Sequence, residues 1–259
     1  MIYALNFASD DYEKARKLNT KSAYKQGADN VYEYTLRDID SAFRKKNIKI
    51  LEQKRGCGYW LWKPYFIDKA LENTHENDWV VYADSGMYYR KNIKEYITQL
   101  EEQGISFISR TTKFKEKQYT KRDVFVELNC DEERYTDSLQ RAASVILVKN
   151  IEENRKIIKE WLEIAQNYHL ITDEANRDEV PNYVEFIDHR HDQSIFSIIC
   201  KKYNTACNKD LFLDLAFPFK RNALLVDHHS KYGKLSQAYM ATIIRVVKML
   251  YGDWKRKRV

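Results

Sequence analysis

The spacing of apolar residues changes twice within the first 35 positions. "MIYALNFAS" alternates and then loosens, which predicts a strand running into a loop; "DDYEKARKLNTKSAYKQGA" has acids at its start, helix formers in its middle and a closing Gly27, which predicts a helix; "DNVYEYT" predicts a second short strand. "IDSAFRKKNIKILEQ" reads as helical or irregular, and a helix over Tyr65 to Glu72 opens after Pro64. "DWVVYAD" is a continuous apolar run, the mark of a strand buried on both faces. A helix over Ile93 to Glu102 stops at Gly104, the strand "ISFIS" follows, and a short helix begins near Arg122. "AASVILVKN" is another buried strand, and the apolar residues of "IEENRKIIKEWLEIAQNYHL" fall at helical spacing. Residues 172 to 190 read as a polar loop, "DQSIFSIICKKY" as a helix capped by Asp192, and Leu235 to Tyr251 as an amphipathic helix. Strands alternating with helices predict an α/β fold with a mostly parallel central sheet.

Length sharpens this picture. At 259 residues the chain suits one sizeable domain, residues 1–227, followed by a basic helical tail, residues 228–259. Residues His228 to Val259 hold eight Lys or Arg against Asp253 alone, a net of +7, so the remaining residues carry −1 of the total +6. The basicity belongs to the tail, which leaves nucleic acid, anionic lipid and solubility as its possible reasons. No window of 18 apolar residues exists, which excludes a membrane-spanning helix. The acidic turn after "MIYALNF" predicts a first strand and not a secretory leader, and with it a cytoplasmic location. Cys57, Cys130, Cys200 and Cys207 are scattered without a C-x-x-C pair, which disfavours a zinc knuckle or a disulfide framework.

Five stretches carry candidate chemistry. Asp84 stands where the apolar strand stops and "SGM" begins, so its carboxylate emerges at the carboxyl end of a central strand, where open α/β sheets bind ligands. It is either a carboxylate for a cation or ribose, or a turn-forming Asp. In "FIDHRHDQSIF", His189, Arg190 and His191 flank Asp192, which serves either as a general base or as a plain helix cap; H-x-H alone is a weak metal signal. "RGCGYWLWKP" places Gly56, Gly58 and Pro64 around Trp60 and Trp62, a costly concentration in a chain with seven glycines and three prolines. Its aromatic rings suit a sugar or nucleotide and equally suit a core. Lys121 and Arg122 of "YTKRD" are able to neutralise phosphate or to form a solvated turn, and His228 and His229 precede the tail.

Taken in order, "RGCGYWLWKP", "VVYADSGM", "YTKRD" and "HRHDQSIFSIICKKY" resemble a family of bacterial glycosyltransferases of capsular polysaccharide and O-antigen (lipopolysaccharide) synthesis, over about residues 1 to 210. The resemblance implies a GT-A fold, a Rossmann-like nucleotide-sugar domain, and transfer of a hexose, pyranose or furanose and of galactose type, from a donor such as a UDP-sugar to a glycan or lipid-linked glycan. It implies that Asp192 is the acidic residue at the acceptor side, the general base if the reaction inverts configuration, with His191 beside it. Phe7, Ala8, Ser9, Arg55, Trp60, Trp62, Lys63, Asp84, Ser85, Gly86, Lys121 and Arg122 would meet the donor. His189, Arg190 and Gln193 would meet the acceptor. The D-x-D of this fold is here Asp84-Ser85-Gly86, lacking its second carboxylate, so a Mn2+ or Mg2+ ion at Asp84 would need further ligands such as His229. A basic amphipathic tail ending in "WKRKR" fits peripheral contact with an anionic membrane on its inner face. The alternative is a nucleotide- or nucleic-acid-binding α/β module without transferase activity. Nucleic acid is not expected as a partner, because binders spread their basic residues along a face and the body of this chain is near neutral.

Overall fold

The computed structural model describes residues 1–177, 180–214, 224–227 and 240. Its frame is a six-stranded sheet of β1 (Ile2–Phe7), β2 (Asn30–Tyr34), β3 (Trp79–Ala83), β5 (Phe107–Lys115), β6 (Leu139–Lys149) and β7 (Ala206–Cys207), in the order β2-β1-β3-β6-β5-β7. A three-stranded sheet joins β4 (Met87–Tyr89), β8 (Phe212–Asp214) and β9 (Leu225–Asp227). Strand β6 pairs antiparallel with both β3 and β5, while the β1–β2, β1–β3 and β5–β7 pairings are parallel. Five of the six strands therefore run one way, and the fold is mixed α/β with a mostly parallel centre.

Period-two alternation sorts the β3 side chains onto two cores. Val80 and Tyr82 join Leu5, Ile146 and Val148 on one face, and Trp79, Val81 and Ala83 join Ile2, Ala4 and Val145 on the other. Both faces are apolar, so helices must cover both. Among helices of ten or more residues, α1 (Glu13–Lys25) and α3 (Ile93–Glu102) contribute Ala23, Ile93, Ile97 and Leu100 to the second core. Helices α2 (Trp62–Glu72), α4 (Glu152–Ala165) and α5 (His191–Lys202) contribute Phe66, Trp161 and Phe196 to the first. Those three aromatic side chains are fully enclosed, each worth on the order of 2–3 kcal/mol of transfer free energy.

The predicted helix over 65–72 begins three residues earlier, at Trp62, with Pro64 in its first turn where a missing N–H is harmless. Strand β5 runs on to Lys115 through two register shifts, longer than "ISFIS" suggests. Strand β4 went unpredicted; three residues supply too little pattern to see. Asp192 is not the cap of α5, since the helix opens one residue earlier, at His191, after Arg190. The expected tail, 228–259, lies outside the described residues apart from Met240, and so do His228 and His229.

Candidate functional site

Strands β1 and β3 are parallel, with Leu5 opposite Tyr82, so their carboxyl ends emerge together. Phe7, Ala8 and Ser9 follow the first; Asp84, Ser85 and Gly86 follow the second. The Ser85 hydroxyl donates to the Phe7 carbonyl, and Asn19 Nδ2 donates to the carbonyls of Asp84 (3.3 Å) and Met87 (3.0 Å). These bonds fix the two loops as one floor.

The wall over that floor is "RGCGYW". Residues 56 to 60 all have positive φ, at 59°, 54°, 93°, 50° and 61°, a turn of left-handed helix. Such backbone costs roughly 1–2 kcal/mol at each non-glycine residue, here Cys57, Tyr59 and Trp60. The glycines are required by contact as well as by φ. A Cβ on Gly56 would sit 2.4 Å from the Trp60 ring, and one on Gly58 would sit 2.8 Å from Leu51 Cα. The sequence therefore supplies glycine where neighbours touch the backbone and accepts strain at the aromatic positions between. The result presents two rings: Trp62 stacks on Phe7 at 3.7 Å and donates to Gly56 O at 2.9 Å, while Trp60 stacks on His191 at 5.5 Å.

Two adjoining clefts result. The first, about 430 Å³, is lined by Phe7, Ala8, Ser9, Trp60, Trp62, Asp84, Ser85 and Gly86, together with Tyr12, Lys54, Gly56, Cys57 and Tyr82. The second, about 310 Å³, is lined by Arg55, Lys63, Ser144, Asp188, His189, Arg190, His191, Asp192 and Gln193 and shares Trp60 and Asp84 with the first. Between them stands Lys63. Its ammonium, on a side chain 5% exposed, lies 3.2 Å from Asp192 Oδ2 and 3.6 Å from Asp84 Oδ1, and the Tyr82 hydroxyl donates to the same Asp84 oxygen. Burial pulls the Lys63 pKa down, but the two carboxylates outweigh it and hold the amine protonated. Burial pushes the Asp192 carboxyl up to about 6 against the opposing pull of Lys63. A carboxylate poised near neutrality is suited to take a proton.

The other expected site residues separate by placement. His189 lies against the second cleft but is spent on structure: its Nε2 is bonded to the Leu170 carbonyl, its Nδ1 accepts from the Lys121 amide, and burial holds it neutral. Gln193 is likewise engaged, accepting from the Ala143 amide and donating to Gln140. Arg190 is held between the rings of Tyr119 (3.9 Å) and Phe114 (4.5 Å) at the cleft wall. Arg55 belongs to the second cleft, not the first, and pairs with Asp173 (2.9 Å) and Asp188 (3.2 Å). Lys63 also faces the second cleft rather than the first.

Lys121 and Arg122 reach neither cleft. The Lys121 ammonium donates to the carbonyls of His169 and Glu174, and Arg122 pairs with Asp131 and packs on Tyr183, so both cations are consumed holding the 172–190 loop. The cation that does line the first cleft is Lys54, which the motif reading passed over. Tyr82 was also missed, although it lies two residues before Asp84 and so shares its face of the strand.

A divalent ion at Asp84 would need several oxygen ligands. Among the described residues Asp84 is the sole carboxylate lining the first cleft, one of its oxygens is already held by Tyr82 and Lys63, and no group of three His, Cys, Asp or Glu is placed to hold a metal. The described residues do not make a divalent-cation site.

No protein-family model matches the chain, and no curated protein matches it. Among solved structures, it is similar to a glycosyltransferase involved in glycosylation of the major capsid of PBCV-1, with TM-score 0.49 and 15% identity over 93% of this chain and 98% of that one. It is also similar to apo mouse xyloside xylosyltransferase 1, with TM-score 0.46 and 11% identity over 87% of this chain and 96% of that one. Likeness at that level assigns no chemistry to either cleft.

Proposed function

We propose that this protein is a glycosyltransferase of GT-A type, moving a hexose from a nucleoside-diphosphate sugar, UDP-linked, to a glycan acceptor. The observation that carries the reading is the pair of clefts meeting at Asp84 and Trp60, with Asp192 in the second and Lys63 within 3.6 Å of both carboxylates. The first cleft, floored by the ends of two parallel strands and walled by Trp60 and Trp62, takes the nucleotide sugar. Asp84 meets the ribose or the donor sugar, and Lys54 meets the diphosphate, the part expected of Lys121 and Arg122. The second cleft takes the acceptor.

In the reaction, an acceptor hydroxyl attacks the anomeric carbon: a new C–O bond forms, the bond to diphosphate breaks with its electrons leaving on the nucleoside diphosphate, and Asp192 receives the hydroxyl proton. A lipid-linked acceptor of capsule or O-antigen type and a peripheral, inner-face location fit the basic tail. No helix among the described residues is long and apolar enough to cross a membrane. A nucleotide-binding module without transfer would not need a base-like carboxylate beside its ligand carboxylate, which is why the transferase reading is preferred.

Asp192→Asn tests this directly. Turnover should fall about 10²–10⁴-fold, the usual contribution of a general base, while the melting-temperature rise given by UDP or a UDP-sugar is retained. Undiminished turnover in the variant removes Asp192 from the mechanism, and no nucleotide response in the wild type removes the transferase.

A further inference from the structure

His191 sits in a setting that capping does not explain. Its φ of 50° holds the ring beside Tyr59 (4.8 Å), stacked on Trp60 (5.5 Å) and edge-on to His189 (5.1 Å), and the residue is 2% exposed. Nδ1 is 2.9 Å from the Ile171 carbonyl. A carbonyl only accepts, so the ring proton is on Nδ1 and Nε2 presents a lone pair. Nε2 is buried and has no hydrogen-bond partner; the Asp173 Oδ1 facing it at 3.8 Å is another acceptor, on a carboxylate held by Arg55 and Tyr59. The next residue differs: Asp192 Oδ2 is buried and paired with the Lys63 ammonium at 3.2 Å.

His191 Nε2 is therefore a buried acceptor on the wall of the second cleft with no donor supplied by the described residues, next to the Lys63-paired carboxylate of Asp192. Buried polar groups are seldom left so unless a ligand completes them. A phosphate or carboxylate ligand would bring further acceptors; a sugar brings hydroxyl donors. Accepting that the second cleft is the acceptor side, we infer that His191 Nε2 accepts from the hydroxyl adjacent to the one whose proton goes to Asp192. The acceptor is then a sugar terminus with a free vicinal diol, and His191 is its specificity-determining residue.

The test uses the full chain with UDP present and a panel of methyl galactoside, glucoside and mannoside with their monodeoxy analogues, followed by saturation-transfer NMR titration. One glycoside should bind, and loss of the hydroxyl facing His191 should weaken it about 10- to 100-fold, because the buried acceptor is left unpaired. His191→Phe keeps the ring stack and should erase that discrimination; His191→Gln, which keeps an acceptor, should restore part of it. Nitrogen-15 shifts should show a neutral Nδ1–H tautomer at pH 7. Equal binding of parent and deoxy sugars, no binding of any glycoside, or a protonated His191 paired with Asp173 overturns the inference. His191-dependent glycoside binding without any response to nucleotide or nucleotide sugar overturns the transferase reading and leaves the diol recognition standing.

Discussion

Lys63 carries a positive charge where water scarcely reaches, between Asp84, which lines both clefts, and Asp192, which lines the second. It lowers the Asp192 pKa against the effect of burial, leaving that carboxyl at about 6, above the roughly 3.9 of an unfolded Asp. Two consequences of opposite sign follow. The proposed transfer needs the ionised base, so kcat/KM should rise as pH passes about 6 and then level. Folding favours the protonated form, so the associated stability is complete below the unfolded pKa and is lost as pH rises through about 6. Lys63→Met removes the cation and should move the acid limb of the rate profile upward by about 1–3 pH units. The variant should also be less stable than the wild type at pH 8, by about 3–5 kcal/mol, with a smaller gap at pH 5, where Asp192 is protonated in the variant. A pH–rate profile together with urea melts at both pH values checks this; an unmoved limb would mean Lys63 does not set the charge on Asp192.

The left-handed turn at 56–60 is the element on which both clefts depend, because it places Trp60 between them. Cys57 sits in it at φ 54° with a side chain only partly buried, so Cys57→Gly should remove backbone strain and raise stability by up to about 1 kcal/mol after glycine's greater unfolded-state entropy is subtracted. Gly58→Ala does the reverse, adding strain at φ 93° and a contact 2.8 Å from Leu51 Cα, and should lose about 2 kcal/mol or more. Denaturant midpoints of the two variants must move in opposite directions. The quoted motif was legible as costly, since glycines beside two tryptophans signalled a shape that neighbours could not tolerate otherwise. Its handedness was not legible, because Cys57, Tyr59 and Trp60 ordinarily avoid positive φ and only packing holds them there. The same limit applies to Lys121 and Arg122. Their charge suggested phosphate, while the 172–190 loop that absorbs them is distant in sequence and has no periodic pattern. Asp84 and Asp192 were legible from position alone, one ending an apolar strand and the other at the start of an apolar helix.

At the scale of the whole molecule, charge is divided unevenly along the chain. The first 227 residues carry −1 and the last 32 carry +7, so attraction to an anionic surface would come almost wholly from the tail. Each basic residue near such a surface is worth about 1 kcal/mol, and the cluster Lys255, Arg256, Lys257 and Arg258 therefore about 4 kcal/mol. Replacing these four with alanine in the full chain should weaken co-sedimentation with phosphatidylserine vesicles roughly 10³-fold at low salt, and raised ionic strength should mimic the loss. UDP binding should be unchanged, because the first cleft is built by residues Phe7 to Gly86 and the long-range field the four add is screened over about 10 Å at 0.1 M salt. Transfer to a soluble glycoside should also be unchanged, whereas transfer to a vesicle-borne acceptor should fall. Equal rates on both acceptors would sever the tail from the reaction and leave solubility as its role.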